Sequence, residues 1–487
     1  MGIPQHVSEH QPGHSETVNT IGGHADRGLS KADFLRTLFH LLDEHQVRYC
    51  VLHSWQGLPD QLSGDLDLAV HPGDRAKLTH VFRGLLDEGY QPIQYRHHAG
   101  GRRFDFVWFE SRGMGSAGVD LTDEYREHGM ILWRGEELVG GRWQFNGFWV
   151  ADPAVEFAYI LAKKTLKGSL PQHQAQRLKE LVNLLGKLQA LKVASELFGA
   201  RWKERVVEAC AGGYLSELLR ALKRSLWLRK LRHNPLKLLR RRLEDFPRLI
   251  RRWFRPTGFF LVILGPDGVG KSTLVGRLAE SLTYAAFNRF RIFHWRPMVI
   301  APQKGTGAVV TDPHGVPPRG VLGSVAVLFG FFLDYWLGYC LILRPFLARS
   351  GLVIFDRYYH DLLIDPLRYR YGGPMWLARF LGRLVPPPDL LFLVLDAEDG
   401  VILSRKREVP LEELRRQRAG YQKFITGDRR AALVTTDKGV QKTTEEATRL
   451  IVEYLAERFE GRNARWLAPV HWKAVGCQSS VRGLRGN

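Results

Sequence analysis

Eight residues in a row, Gly265-Pro266-Asp267-Gly268-Val269-Gly270-Lys271-Ser272, have types and spacing suited to holding a polyphosphate. Gly265, Gly268 and Gly270 let the backbone turn so that successive N–H groups converge on an anion. Lys271 brings a full positive charge to the terminal phosphates, and the Ser272 hydroxyl, followed by Thr273, can hold Mg²⁺. A carboxylate for the same ion ends the run Val353-Ile354-Phe355-Asp356, and Arg357 after it can grip a phosphate on the acceptor side. Two later clusters, Ser404-Arg405-Lys406-Arg407-Glu408 and Leu414-Arg415-Arg416-Gln417-Arg418, either close over a transferred phosphoryl group or form a solvated helical face. The chemistry implied is in-line transfer of a γ-phosphoryl group from ATP to a phosphate-bearing or hydroxyl acceptor.

A second constellation lies nearer the N-terminus. Tyr49 to Ser54 is followed by Ser63-Gly64-Asp65-Leu66-Asp67-Leu68-Ala69-Val70, and alternation along a strand puts Asp65 and Asp67 on one face. Two such carboxylates can hold a divalent metal against a triphosphate. Asp120, in Gly118-Val119-Asp120-Leu121, could complete a two-metal site, with Asp105 in the strand 104–109 as the rival third acid. Lys163, Lys164 and Lys167 are either phosphate ligands or one exposed helical face.

These residues need elements to position them. Short apolar runs predict strands over 259–264, 291–295, 352–356, 390–396 and 431–435, with a helix over 272–282 and a last helix over about 444–459. Strands alternating with helices imply an α/β fold, a parallel sheet covered on both faces. The chain divides into a disordered arm over 1–29, an α+β domain over 30–165, a helical basic connector over 166–255, the phosphate-binding domain over 256–462 and a loose tail over 463–487. No internal repeat is visible.

With the motifs in place, residues 259–459 resemble the thymidylate kinase family of nucleoside monophosphate kinases. The resemblance rests on GPDGVGKST from Gly265, RPFLARSGLVIFDRYYHD from Arg344, PDLLFLVLDAEDGVILSRKRE from Pro388 and RRQRAGYQKF from Arg415, in that order. It implies that Lys271 and Ser272 serve the ATP phosphates and Mg²⁺, and that Asp267 faces the acceptor's sugar. Asp356 and Arg357 would handle metal and acceptor phosphate, with Arg405 and Arg418 in a mobile lid. Two stretches depart from the pattern. His294-Trp295-Arg296-Pro297 stands where the family has Arg-Glu-Pro-Gly-Gly, and Leu333-Asp334-Tyr335 where it offers the substrate an arginine. Residues 32–167 resemble the nucleotidyltransferase superfamily, with His53 where a glycine is usual.

Composition sets the outer bounds. A chain of 487 residues, 45% hydrophobic and 25% charged, is globular and long enough for two or three cores. Cys50, Cys210, Cys340 and Cys477 have neither metal-like nor redox-like spacing, which points to a reducing, cytoplasmic setting. The first 29 residues lack the order of a secretory signal. Residues 220–255 carry fourteen Lys or Arg against Glu244 and Asp245, a net +12 of the chain's +20. Leucines and aromatics interleave with these charges, predicting basic amphipathic helices broken near Pro235 and Pro247. Such helices suit a peripheral site on an anionic membrane surface better than nucleic acid, or they form a linker packed on a neighbouring domain. Residues 321–343 are apolar enough to span a bilayer, but Asp334 near their middle predicts a buried core helix. The rival functional reading is a nucleotide-binding regulatory module without turnover, and a homodimer is compatible with either.

Overall fold

The computed structural model describes residues 29–62, 64–98, 101–110, 113–127, 130–233, 235–300, 314–388, 391–406 and 409–466. Most of the expected arm and tail, with Cys477, lies outside them, as do Arg407 and Glu408 of the first arginine cluster.

The N-terminal part is α1 (Lys31–Glu44), β1 (Tyr49–Val51), β2 (Leu66–Val70), α2 (Leu78–Asp87), β3 (Gln91–His98), β4 (Gly101–Glu110), β5 (Gly113–Thr122), β6 (Glu124–Glu127), β7 (Met130–Arg134), α3 (Gly135–Val139), β8 (Trp143–Phe145) and β9 (Phe148–Val150). Seven of these strands form a mixed sheet in the order β3-β4-β5-β2-β1-β9-β8, and β6 and β7 form a separate hairpin. Ser30 starts α1 with a capping box, its hydroxyl accepting from the Asp33 N–H while the Asp33 carboxylate bonds back. Phe34, Leu35, Leu38 and Leu42 on one face of α1 then cover the sheet.

A run of helices follows: α4 (Pro153–Lys167), α5 (Gln172–Phe198), α6 (Lys203–Gly212), α7 (Leu215–His233) and α8 (Pro235–Phe254). Asp152 caps α4, and Gly168 ends it in the left-handed conformation. Leu218, Leu222 and Leu226 of α7 are buried in the core of this helical region, so α7 packs as a linker helix does. The break expected at Pro235 falls between α7 and α8. The break expected at Pro247 does not occur: α8 runs through it. Pro247 is exposed, and the carbonyl left without an intrahelical donor can bond water there.

The C-terminal part is β10 (Phe259–Leu264), α9 (Lys271–Ala285), β11 (Phe290–His294), α10 (Val321–Gly338), a π-helical turn (Tyr339–Leu343), α11 (Arg344–Ala348), β12 (Leu352–Asp356), α12 (Tyr359–Ile364), α13 (Met375–Leu384), β13 (Leu391–Asp396), α14 (Asp399–Arg405), α15 (Leu411–Gly427), β14 (Ala431–Thr435) and α16 (Val440–Asn463). Its five strands lie in the order β11-β12-β10-β13-β14, every pair parallel. Side chains of β10 alternate between two cores. Phe259, Leu261 and Ile263 meet α9 and α16; Phe260, Val262 and Leu264 meet α10, α12 and α13. The sheet is thus covered on both faces, as the sequence pattern implies.

The expectation of a buried helix at 321–343 needs correction. Leu328, Asp334 and Tyr335 face the fold, but only 22% of the apolar window in Val321–Ala348 is buried. Leu322, Leu333 and Leu341 on the other side are exposed.

Candidate active site

The phosphate-binding loop links β10 to α9, so its N–H groups stand at the positive end of a helix. Gly265, Gly268 and Gly270 all have positive φ, at 144°, 83° and 103°. A Cβ on Gly265 would lie 2.6 Å from the carbonyl oxygen of Leu395 on β13, so space as well as φ demands glycine. Lys271 is buried under the loop, its ammonium donating to the carbonyls of Gly265 at 2.8 Å and Pro266 at 2.7 Å, with Asp267 at 3.5 Å. Ser272 and Thr273 are exposed on the first turn of α9.

Pairing of β10 with β12 sets Ile263 opposite Asp356 and brings the two motifs together. The Ser272 hydroxyl donates to Asp356 Oδ2 at 3.3 Å, and His294 Nδ1 from β11 lies 3.5 Å from the same oxygen. Burial pushes the Asp356 carboxyl up, but His294, Lys271 and Ser272 outweigh it and hold the group below the usual carboxylate range. Asp356 Oδ1 is buried with no hydrogen-bond partner. A carboxylate kept ionised, an unsatisfied oxygen and an adjacent hydroxyl form a donor set that fits Mg²⁺.

On the side expected to face the acceptor, Asp267 receives two guanidinium groups, Arg357 on Oδ1 and Arg368 on Oδ2. Arg357 has φ +72°, a conformation rare outside glycine, and its N–H is fixed to the Ile263 carbonyl at 2.9 Å. Trp295, at φ +71°, is tied by its N–H to the Asp356 carbonyl at 3.0 Å and stacks on Tyr369 at 4.3 Å between ring centroids. Asp361 accepts from the hydroxyls of Tyr369 and Tyr421, which anchors α15 to this side. Asp334 is fully buried, accepting from the backbone N–H groups of Met298, Val299 and Ile300 and from Arg296 at 3.1 Å. It organises the chain that follows β11.

Of the two expected lid arginines, Arg405 reaches the loop's own backbone. It donates to the Val269 carbonyl at 3.5 Å and to Thr436 at 3.2 Å. Arg418 forks onto Asp396 at 2.7 and 3.0 Å and also meets Asp399, so closing on a phosphate would require exchanging those partners.

The N-terminal acids also converge. Asp67 on β2 lies directly opposite Asp120 on the parallel strand β5, and Asp65 directly precedes β2. Each is already paired with a cation. Lys163 Nζ lies 2.6 Å and His53 Nε2 2.8 Å from Asp67 Oδ2, while the Tyr159 hydroxyl donates to Oδ1 at 3.3 Å. Burial pushes the Asp67 carboxyl up, yet Lys163 and His53 hold it well below the usual range. Arg103 binds Asp65 and lies 3.8 Å from Asp120. A divalent ion here would have to displace Lys163 and Arg103. Asp105 is fully buried between Arg96 and Arg103, in a structural network. Lys164 is buried too, and desolvation with Lys163 and Lys167 nearby lowers it to about 8.

Sequence reasoning missed Arg368 and the partnership of His294 with Asp356. Arg368 lies in Leu367-Arg368-Tyr369-Arg370-Tyr371, where alternating arginine and tyrosine in a loop was the available signal.

No family model matches the chain. Over 155 residues it is 28% identical to a thymidylate kinase of Xanthomonas euvesicatoria pv. vesicatoria (strain 85-10), a match taking in 31% of this chain. The chain spans 62% of that relative's length. Solved thymidylate kinases from Ehrlichia chaffeensis and Candida albicans are similar at 20% and 16% identity, with TM-scores of 0.28 and 0.29. They cover 40% and 43% of this chain and 98% and 93% of their own. The fold rests on the strand order and register above.

Proposed function

We propose that residues 256–462 form an ATP-dependent phosphotransferase of the nucleotide-kinase type, acting on a phosphate-bearing acceptor. One observation carries the reading. Ser272 on the first turn of α9 meets Asp356 at the end of β12, with an unsatisfied buried oxygen on Asp356, beside Asp267 gripped by Arg357 and Arg368. The similarity of part of the chain to a thymidylate kinase supports the same reading.

Ser272 and Asp356 would hold Mg²⁺, which would supply charge neutralisation on the ATP phosphates. The loop and the N-terminus of α9 cradle those phosphates, and Lys271 exchanges its carbonyl partners for phosphate oxygens. Asp267 orients Arg357 and Arg368, whose two positive charges at one spot favour a phosphate over a plain hydroxyl as acceptor. As the acceptor oxygen bonds to the γ-phosphorus, the bond to ADP breaks in line. Positioning and charge neutralisation provide the catalysis, with no covalent enzyme intermediate. Asp334 acts as a loop anchor where a thymidylate pocket offers an arginine, which supports an acceptor other than thymidylate.

The test is ADP release by the full-length protein with ATP and Mg²⁺ against a panel of nucleoside monophosphates and sugar phosphates. Release that depends on one acceptor class supports the reading. ATP binding with no turnover for any acceptor supports a regulatory module instead.

A further inference from the structure

A helix with an apolar stripe normally turns that stripe to the core. The end of α8 does the reverse. Phe246, Leu249, Ile250, Trp253 and Phe254 recur at the i, i+3, i+4, i+7, i+8 spacing of one helical face, and all are exposed, Phe254 at 71%. The stripe is fixed in place rather than loosely hung. Arg344 of α11 donates to the Phe254 carbonyl at 2.7 Å, and Arg252 to the Ser350 hydroxyl at 3.2 Å.

Arg344 joins this stripe to a second one. Phe329, Leu333, Leu337 and Leu341 are exposed along α10 and its π-helical turn. α10 is not free to leave the fold and span a bilayer, because Asp334 on its opposite side holds three backbone N–H groups and Arg296. A third stripe lies alongside: the Trp336 indole N–H donates to the Leu384 carbonyl at 3.0 Å. On α13, Trp376, Phe380 and Leu384 recur every fourth residue and are exposed, Trp376 at 68%.

Charge selects the occupant of this face. Over 246–255, 321–349 and 375–384 the charged residues are eight arginines and one acid, Asp334, which is buried. A second copy placed symmetrically would set arginine against arginine. Nucleic acid would match the charge but not the aliphatic and aromatic stripes. We propose that α8, α10 and α13 together form a docking face for an anionic lipid bilayer, with the apolar side chains entering the headgroup boundary and the arginines meeting lipid phosphates. The inference does not depend on the phosphotransferase reading.

The full-length protein is sedimented with vesicles of phosphatidylcholine alone and of phosphatidylcholine mixed with phosphatidylglycerol. Binding to the mixed vesicles is expected to be about tenfold tighter or more, and to weaken steeply as salt rises. Leu249→Glu with Trp253→Glu lowers it about tenfold or more, and Trp376→Glu on α13 weakens it as well. These side chains are exposed, so the thermal transition stays at the parental temperature. Sedimentation with neither vesicle, or equal binding by the variants, would overturn the proposal. So would a dimer in solution that Leu249→Glu with Trp253→Glu dissolves, which would assign the face to a second copy.

Discussion

Asp267 holds two arginines at one spot, Arg357 on one carboxylate oxygen and Arg368 on the other. Removing one arm tests this. Arg368→Ala is expected to lower kcat/KM for the acceptor by about tenfold to a hundredfold while leaving ATP affinity unchanged, measured by steady-state kinetics beside calorimetry with ATP. A second residue-scale prediction concerns His360, buried between Phe392 and Phe424 with Nδ1 unpartnered. Desolvation lowers it to about 4, with Arg430 acting in the same direction and Asp428 opposing. A folded-state value below the unfolded one means the unfolded chain binds the proton more readily. Stability is therefore complete above pH 6.5 and lost as pH falls toward 4, by about 2 kcal/mol between pH 7 and 5. Urea unfolding at those two pH values should show this loss in the parent and not in His360→Phe. Lys271, Ser272, Asp356 and Arg357 were legible in the sequence because each sits at a fixed spacing within a motif. Arg368 was not, because only the fold of the loop after α12 brings it to Asp267, 101 residues earlier in the chain.

At the scale of elements, glycine geometry decides whether the phosphate loop can form. Gly265 combines φ of 144° with a β13 carbonyl 2.6 Å from where a Cβ would sit. Gly265→Ala should destabilise the chain by about 1–3 kcal/mol and weaken ATP binding, read by urea unfolding and calorimetry. A variant matching the parent in both would show that the loop tolerates a side chain there. The strands of the C-terminal sheet were legible to within a residue because buried parallel strands read as unbroken apolar runs such as Phe259–Leu264. Helix ends and helix faces were less so. Proline at 247 suggested a break, but an exposed position let α8 continue. Asp334 correctly marked the buried side of α10, yet the residue types do not tell whether the opposite apolar side meets protein or solvent.

At the scale of the whole molecule the two sheets are not independent. Ile93 of β3 and Val107 of β4 share a core with α9 and α16, Gln94 donates to the Thr257 carbonyl at 2.7 Å, and Arg96 to Asn288 at 2.6 Å. The chain beyond α16 returns the contact: Trp466 is buried against Phe82, Tyr95 and Phe104. Sequence reading placed residue 466 in a loose tail, because a lone tryptophan near a chain end carries no periodic signal. Trp466→Ala should cost about 3 kcal/mol or more in urea unfolding, a cavity-sized loss, where an unattached tail residue would cost nothing measurable. These contacts bear on the parts around the candidate site; the proposed chemistry turns first on the Lys271 ammonium group. The most direct test is transfer of the γ-phosphoryl group from ATP to the acceptor identified in the panel, compared between the full-length protein and Lys271→Ala. A fall of about a hundredfold or more with the unfolding transition unchanged is the expected result. Transfer by Lys271→Ala at the parental rate would contradict the assignment of the site.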